Sequence, residues 1–244
     1  MKKESIVYTM GFALVVCLVC SVLLSVVSQG LKSRQNQNED LDRKKNILAA
    51  AEIRGLSLKM MSASELLNVY AAHIDQVMVS ASGEIVYKGE CAAQACPAGS
   101  HPVYIYRASG RNEAYIIPVF GKGLWSTIYG FLAVENDAAT IRGVTFYKHG
   151  ETPGLGGEVG SIRFESSFKG KKIYDEKEHR VRPVRVIKGK VEDALSGRDM
   201  LFAVDGITGA TMTSKGVSAF LDQWIRWYNP FFETVRRSLK RESF

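Results

Sequence analysis

"VDGITGATMTSKGVSAFLDQWIRWYN", Val204 to Asn229, changes character halfway along. Its second part places Val217, Phe220, Leu221, Trp224 and Tyr228 on one face at helical spacing, so a helix here has a single apolar stripe that must lie on another layer. Its first part, Asp205 to Thr213, is polar, contains glycine and carries Thr208, Thr211 and Thr213; it feeds the helix N-terminus, with Thr213 or Ser214 as the expected cap. A helix start presents unpaired N–H groups and partial positive charge, which suits a phosphate. Gly206 and Gly209 let the backbone come close to a ligand, and the hydroxyls add donors. An ordinary capping loop has the same composition, so the stretch alone leaves both readings open.

The layer beneath the stripe lies upstream. "QVMVSASGEIVYKG" (76–89) and "PVYIYRASGRNEAYIIPV" (102–119) each set β-branched or aromatic residues on both sides of a Ser-Gly turn, the pattern of two hairpins. "WSTIYGFLAVE" and "IRGVTFYKHG" read as further strands, and "PVRVIKG" as a shorter one. "SASELLNVYAAHI" opens a short helix, with Ser62 and Glu65 spaced as a capping box. The expected fold class is α+β: a mostly antiparallel sheet with flanking helices packed on one face.

Ahead of this body, "IVYTMGFALVVCLVCSVLLSVVS" runs from Ile6 to Ser28 without a charged residue. As a helix it reaches about 35 Å, enough to cross a hydrocarbon core of about 30 Å, and it exceeds the apolar region of a cleavable signal peptide. The expected organisation is a tail 1–5, a transmembrane anchor 6–28, a polar linker 29–45 running into a helix, and a folded body 46–244. Lys2 and Lys3 precede the span, whereas Lys32, Arg34, Arg43, Lys44 and Lys45 follow it. A strict positive-inside count therefore favours a cytoplasmic body, while a short basic tail ahead of a first span commonly stays inside.

The net charge of +7 comes from scattered Lys and Arg with no recognition-helix or zinc-finger pattern, so a nucleic-acid partner is not indicated. Cys17 and Cys20 lie in the span as small packing residues. Cys91 and Cys96 in "CAAQACPAG" are near enough in sequence for a disulfide if the body faces an oxidising compartment. The four histidines have no zinc-like spacing with either pair, and no metal is expected. "HGETPGLGGEV" (149–159) is a glycine-rich turn after a strand that lets amides approach a planar ring; it lacks the GxGxxG spacing of a dinucleotide site.

"DGITGAT" (205–211) resembles the flavinylation motif of FMN-binding domains, Asp-x-x-Ser/Thr-Gly-Ala-Thr, with Thr211 in the acceptor place. "GKGLWSTIYGFLAVE" and "VTFYKHGETPGLGGEV", together with the single N-terminal anchor, are similar to the NqrC family of the bacterial sodium-translocating NADH:quinone oxidoreductases. The resemblance implies FMN joined covalently through its phosphate to Thr211 by a magnesium-dependent flavin transferase that uses FAD as donor. Asp205 would then orient the loop or serve the transferase. Thr208, Gly209, Ala210, Thr213, Ser214 and Lys215 would surround the phosphate in the flavinylation loop 205–214. Trp125 and Leu155 would pack on the isoalloxazine ring, with Glu151, Thr152 and Gly156 at its polar edge; a core aromatic is the plain alternative for Trp125. The implied function is an electron carrier in an inner-membrane complex of six subunits, relaying electrons from NADH toward quinone while sodium is exported. Its flavin domain would be periplasmic, and the chain itself would not bind NADH. Two alternatives share the motif: an RnfG-like flavoprotein of Rnf complexes, and a membrane-anchored FMN-binding sensor or assembly module.

Overall fold

The computed structural model describes residues 6–53, 61–91 and 96–242. The expected tail 1–5 lies outside them. The chain divides into two units at Arg43 and Lys44, close to the expected start of the folded body.

The first unit is helical. It holds most of α1 (Ile6–Ala50), a helix of 45 residues whose most apolar window has a mean hydropathy of 2.8. By length and composition it can cross a membrane. Segment 29–45, expected as a polar linker running into a helix, is itself helical: "LKSRQNQNEDLDRKKN" belongs to α1. Its Gln, Glu, Lys and Arg are good helix formers, and neither Pro nor a Gly pair breaks the run.

The second unit begins with the last turns of α1 and continues through α2 (Ala63–His73), β1 (Ile74–Val79), β2 (Ile85–Lys88), β3 (His101–Ala108), β4 (Arg111–Lys122), β5 (Thr127–Glu135) and β6 (Ile141–Lys148). The capping box of α2 is present: the Ser62 hydroxyl accepts from the Glu65 amide, and the Glu65 carboxylate from the Ser62 amide. The six strands form one antiparallel sheet in the order β2-β1-β3-β4-β5-β6. Both expected hairpins are here, turning at Ser82–Gly83 and Ser109–Gly110. A disulfide joins Cys91 and Cys96, with Cα atoms 5.5 Å apart.

Both faces of this sheet are covered, not one. Neighbouring residues on a strand point to opposite faces, yet Ile116 and Ile117 of β4 are each 0% exposed. Ile117 is in register with Leu132, which pairs with Val144; this row belongs to the core beneath the C-terminal helix. Tyr104, Ile116, Ala133 and Gly143 form a row on the other face. A Cβ on Gly143 would lie 2.6 Å from the Ala50 carbonyl, so the end of α1 rests directly on that row. Arg142 Nε donates to the Ala51 carbonyl at 2.6 Å.

A 3-10 turn (Gly156–Gly160), α3 (Ile162–Ser166), β7 (Tyr174–Asp175), β8 (Arg180–Val181), β9 (Arg185–Val186), α4 (Val191–Ala194), a second 3-10 turn (Gly197–Phe202) and β10 (Ala203–Val204) lead to α5 (Thr211–Glu242). Here "PVRVIKG" contributes only the two residues of β9, paired in parallel with β10. Buried Asp175 ties this region together by ion pairs with Arg198 at 2.6 Å and Arg182 at 3.8 Å.

Helix α5 buries Val217, Phe220, Leu221, Trp224, Ile225 and Tyr228 on the sheet, each such side chain stabilising the fold by about 1.5–3 kcal/mol. Trp224 Nε1 donates to the Phe120 carbonyl at 2.7 Å, and the Tyr228 hydroxyl to the Pro102 carbonyl at 2.9 Å. The helix passes through Pro230, a residue that ordinarily ends one. Phe231 and Phe232, buried at 5% and 1% exposure, hold the continuation against the body.

Candidate functional site

Three loops converge at the start of α5, and one carboxylate joins them. Glu151, 5% exposed, accepts on Oε1 from the amides of Trp125 (2.9 Å) and Ser126 (3.0 Å). On Oε2 it accepts from the Leu124 amide (3.1 Å) and the Thr213 hydroxyl (2.7 Å). Burial alone would push this carboxyl up; the bonds from Thr213 and from the Ser126, Trp125 and Leu124 amides outweigh it and hold the group below the usual carboxylate range. The residues around it leave no room for larger side chains. A Cβ on Gly156 would stand 2.6 Å from the Thr213 hydroxyl and 2.9 Å from Glu151 Oε2, and one on Gly123 would stand 2.6 Å from Glu151 Oε1.

The loop before α5 is held from the other side by the β9–β10 pair, whose ladder continues as Ile187 N–H to the Val204 carbonyl and Gly206 N–H to the Gly189 carbonyl. Asp205 Oδ1 accepts from the Val191 amide at 2.8 Å, which fixes the loop entry to α4. Gly209 takes φ +75°, a conformation open to glycine, and a Cβ there would press on Leu155 at 2.7 Å. Ala210 N–H returns to the Ile207 carbonyl, and Ser214 N–H makes the first helical bond of α5, to Ala210.

This geometry separates the three threonines. The helix starts at Thr211, two or three residues before the expected cap. Thr213 is 1% exposed with its hydroxyl engaged on Glu151, and the Ser214 hydroxyl accepts from the Ile207 amide at 3.3 Å. The Thr213 hydroxyl, expected to hold the phosphate, is engaged on Glu151 within the body, whereas the Ser214 hydroxyl accepts from the loop at Ile207 and keeps its own proton in the cavity that it lines. Thr208 and Thr211 are exposed. They line a cavity of about 390 Å³ with Lys188, Gly206, Gly209, Ser214 and Lys215. Among the described residues, its lining carries two lysines and no carboxylate. A hydroxyl at the first residue of a 32-residue helix, in a cavity whose lining includes two lysines, suits capture of a phosphate.

On the Glu151 side, Trp125 is 73% exposed, so it is not a core aromatic; Leu155 at 44% and Met212 at 55% are exposed as well. Leu155 reaches the loop at Gly209. The Thr152 carbonyl accepts from the Leu155 and Gly157 amides and so shapes that turn, while its side chain is exposed. Glu151, expected at the polar edge of a ring, has both carboxylate oxygens engaged by its own chain. Lys188, Leu124 and Ser126 are further members of the site; a single Lys following a short strand and a polar turn gave no pattern to find them by.

The fold and this site define an FMN-binding domain following a long apolar helix, and the FMN-binding domain family matches residues 123–226. The NqrC subunit of the Na(+)-translocating NADH-quinone reductase of Pseudomonas aeruginosa is 36% identical over 92% of this chain and 93% of its own. That of Yersinia pestis is 32% identical over 96% and 95%. The solved structure of the same subunit from Parabacteroides distasonis superposes with a TM-score of 0.67 at 34% identity, covering 83% of this chain and 96% of its own. The structure of Shewanella oneidensis NqrC gives 0.67 at 26%, covering 82% and 99%. The chain belongs to the NqrC family of the Na(+)-translocating NADH-quinone reductases.

Proposed function

We propose that this chain carries FMN on Thr211 as a phosphoester and relays electrons from NADH toward quinone within a sodium-exporting membrane complex. The observation that carries the reading is the division of labour in the loop: Thr213 is buried on Glu151, while Thr211 is exposed at the helix start in a lysine-lined cavity. A phosphate there fits the residues present, since the helix N-terminus, Lys188 and Lys215 all favour an anion.

Thr211 would hold FMN through a phosphoester made from FAD with loss of AMP, a separate flavin transferase activating the hydroxyl. Bound FMN supplies the electron chemistry. The chain's own residues do the rest. Thr211 fixes the group against loss by dilution, Lys188 and Lys215 offset its phosphate charge, and Trp125 and Leu155 offer apolar surface to the ring. Asp205 holds the loop entry through Val191, which supports a loop-orienting role.

Helix α1 would anchor the domain in the inner membrane, and the Cys91–Cys96 disulfide supports a periplasmic body over the cytoplasmic one that the Lys/Arg count favours. The remaining subunits of the reductase are the expected partners. The test is purification of the complex from membranes carrying this chain or its Thr211→Ala variant. Copurification of both, with NADH-driven quinone reduction lost only in the variant, is expected. Undiminished activity of the variant would leave a sensor or assembly module in its place.

A further inference from the structure

Glu151 is the buried carboxylate at the centre of the site, and its partners come from two different segments. It accepts from three consecutive amides, Leu124, Trp125 and Ser126, and from the Thr213 hydroxyl in the first turn of α5. Thr213 follows Thr211 by two residues on that turn, so whatever fixes Thr213 fixes the helix start that presents the Thr211 hydroxyl. Gly123 and Gly156 remove the two side chains that would displace the carboxylate. Three amides and the hydroxyls of Thr213 and, at 3.4 Å, Ser126 point at the carboxylate, which is held below the usual carboxylate range behind the turn that exposes Trp125.

We infer that Glu151 is a positioning residue with an electrostatic second role: it locks the Trp125 turn to the first turn of α5, and its fixed charge lowers the reduction potential of a flavin held at Thr211. This rests on the proposed attachment. The physical reason is that adding an electron near an anion costs more than adding it near a neutral group.

The test uses the full-length chain coexpressed with a flavin transferase, unsubstituted or as Glu151→Gln, with intact mass and spectroelectrochemical titration as readouts. Gln can keep the bonds from Trp125 and Ser126 while removing the charge. The expected result is a flavin-bearing variant whose midpoint potential is more positive than that of the unsubstituted chain. An unchanged potential in a flavin-bearing variant overturns the inference, because a merely structural residue would leave the potential where it is. Should Glu151→Gln fold by circular dichroism yet accept no flavin, Thr213→Val decides. That change keeps the charge and severs the tie to α5: lowered flavin incorporation supports the clamp, and full incorporation overturns it. Absence of added mass on the unsubstituted chain is a separate outcome, and it removes the attachment reading itself.

Discussion

Glu151 and Glu165 each pin a loop to main-chain N–H groups near the sheet, and their carboxyls are shifted in opposite directions from the ordinary value. Glu151 has three amides and two hydroxyls, those of Thr213 and Ser126. Glu165, on α3, has one amide, that of Phe146 at the edge strand β6, at 2.7 Å. Burial pushes both carboxyls up. In Glu151 the donors outweigh it and hold the group low; in Glu165 the single Phe146 amide does not, and the group is pushed up to about 7. In these two carboxyls the balance between burial and the donors each group accepts sets whether it is held low or pushed up. The site has the first case and the sheet edge the second.

The sharpest way to break this comparison is Glu151→Leu. It leaves three amides and the Thr213 hydroxyl without their acceptor, and a loss of about 3–5 kcal/mol is expected in denaturant unfolding of the detergent-solubilised chain. A loss no larger than that of an exposed substitution would mean that water replaces the carboxylate. Gly156→Ala should follow with about 1–3 kcal/mol, since its methyl group meets both Thr213 and Glu151.

Glu165 gives a smaller effect that depends on pH. Its folded pKa lies above the ordinary value, so the native state binds the extra proton between about pH 4.5 and 7. The stabilisation is full below that window and is lost as pH rises through 7. Glu165→Gln keeps an acceptor for Phe146 and should stabilise the chain by about 1 kcal/mol at pH 8, after solvent screening, and by nothing at pH 4. Thermal melts of the two chains across pH 4–8 would show the gap open with rising pH. The smallest expected effect is that of Ser62→Ala, which removes an exposed cap from α2. It should lower the melting temperature by less than Gly156→Ala does.

Local features were legible in the sequence. The Ser-Gly hairpins, the Ser62–Glu65 box and the stripe of α5 each depend on residues a few positions apart, where propensity and periodicity act. "DGITGAT" was legible as a loop before a helix for the same reason. What the sequence hid was long-range or overridden locally. The bond from Thr213 to Glu151 spans 62 positions, so nothing near Thr213 marked its hydroxyl as internal rather than ligand-facing. The two-sided burial of the sheet depends on Ala50 meeting Gly143, again a contact between distant segments. Pro230 signalled a stop that the buried Phe231 and Phe232 overrode. Segment 29–45 has the polarity of a linker, but its helix propensity prevails.

Thr211, rather than Thr208 or Thr213, is the proposed attachment point on which the electron-carrier role depends. Intact mass under denaturing conditions, for the chain coexpressed with a flavin transferase and for its Thr211→Ala variant, tests this most directly. The added mass of FMN on the unsubstituted chain and none on the variant is the predicted result. Equal added mass on both would contradict it and point to Thr208, the other exposed hydroxyl of the cavity.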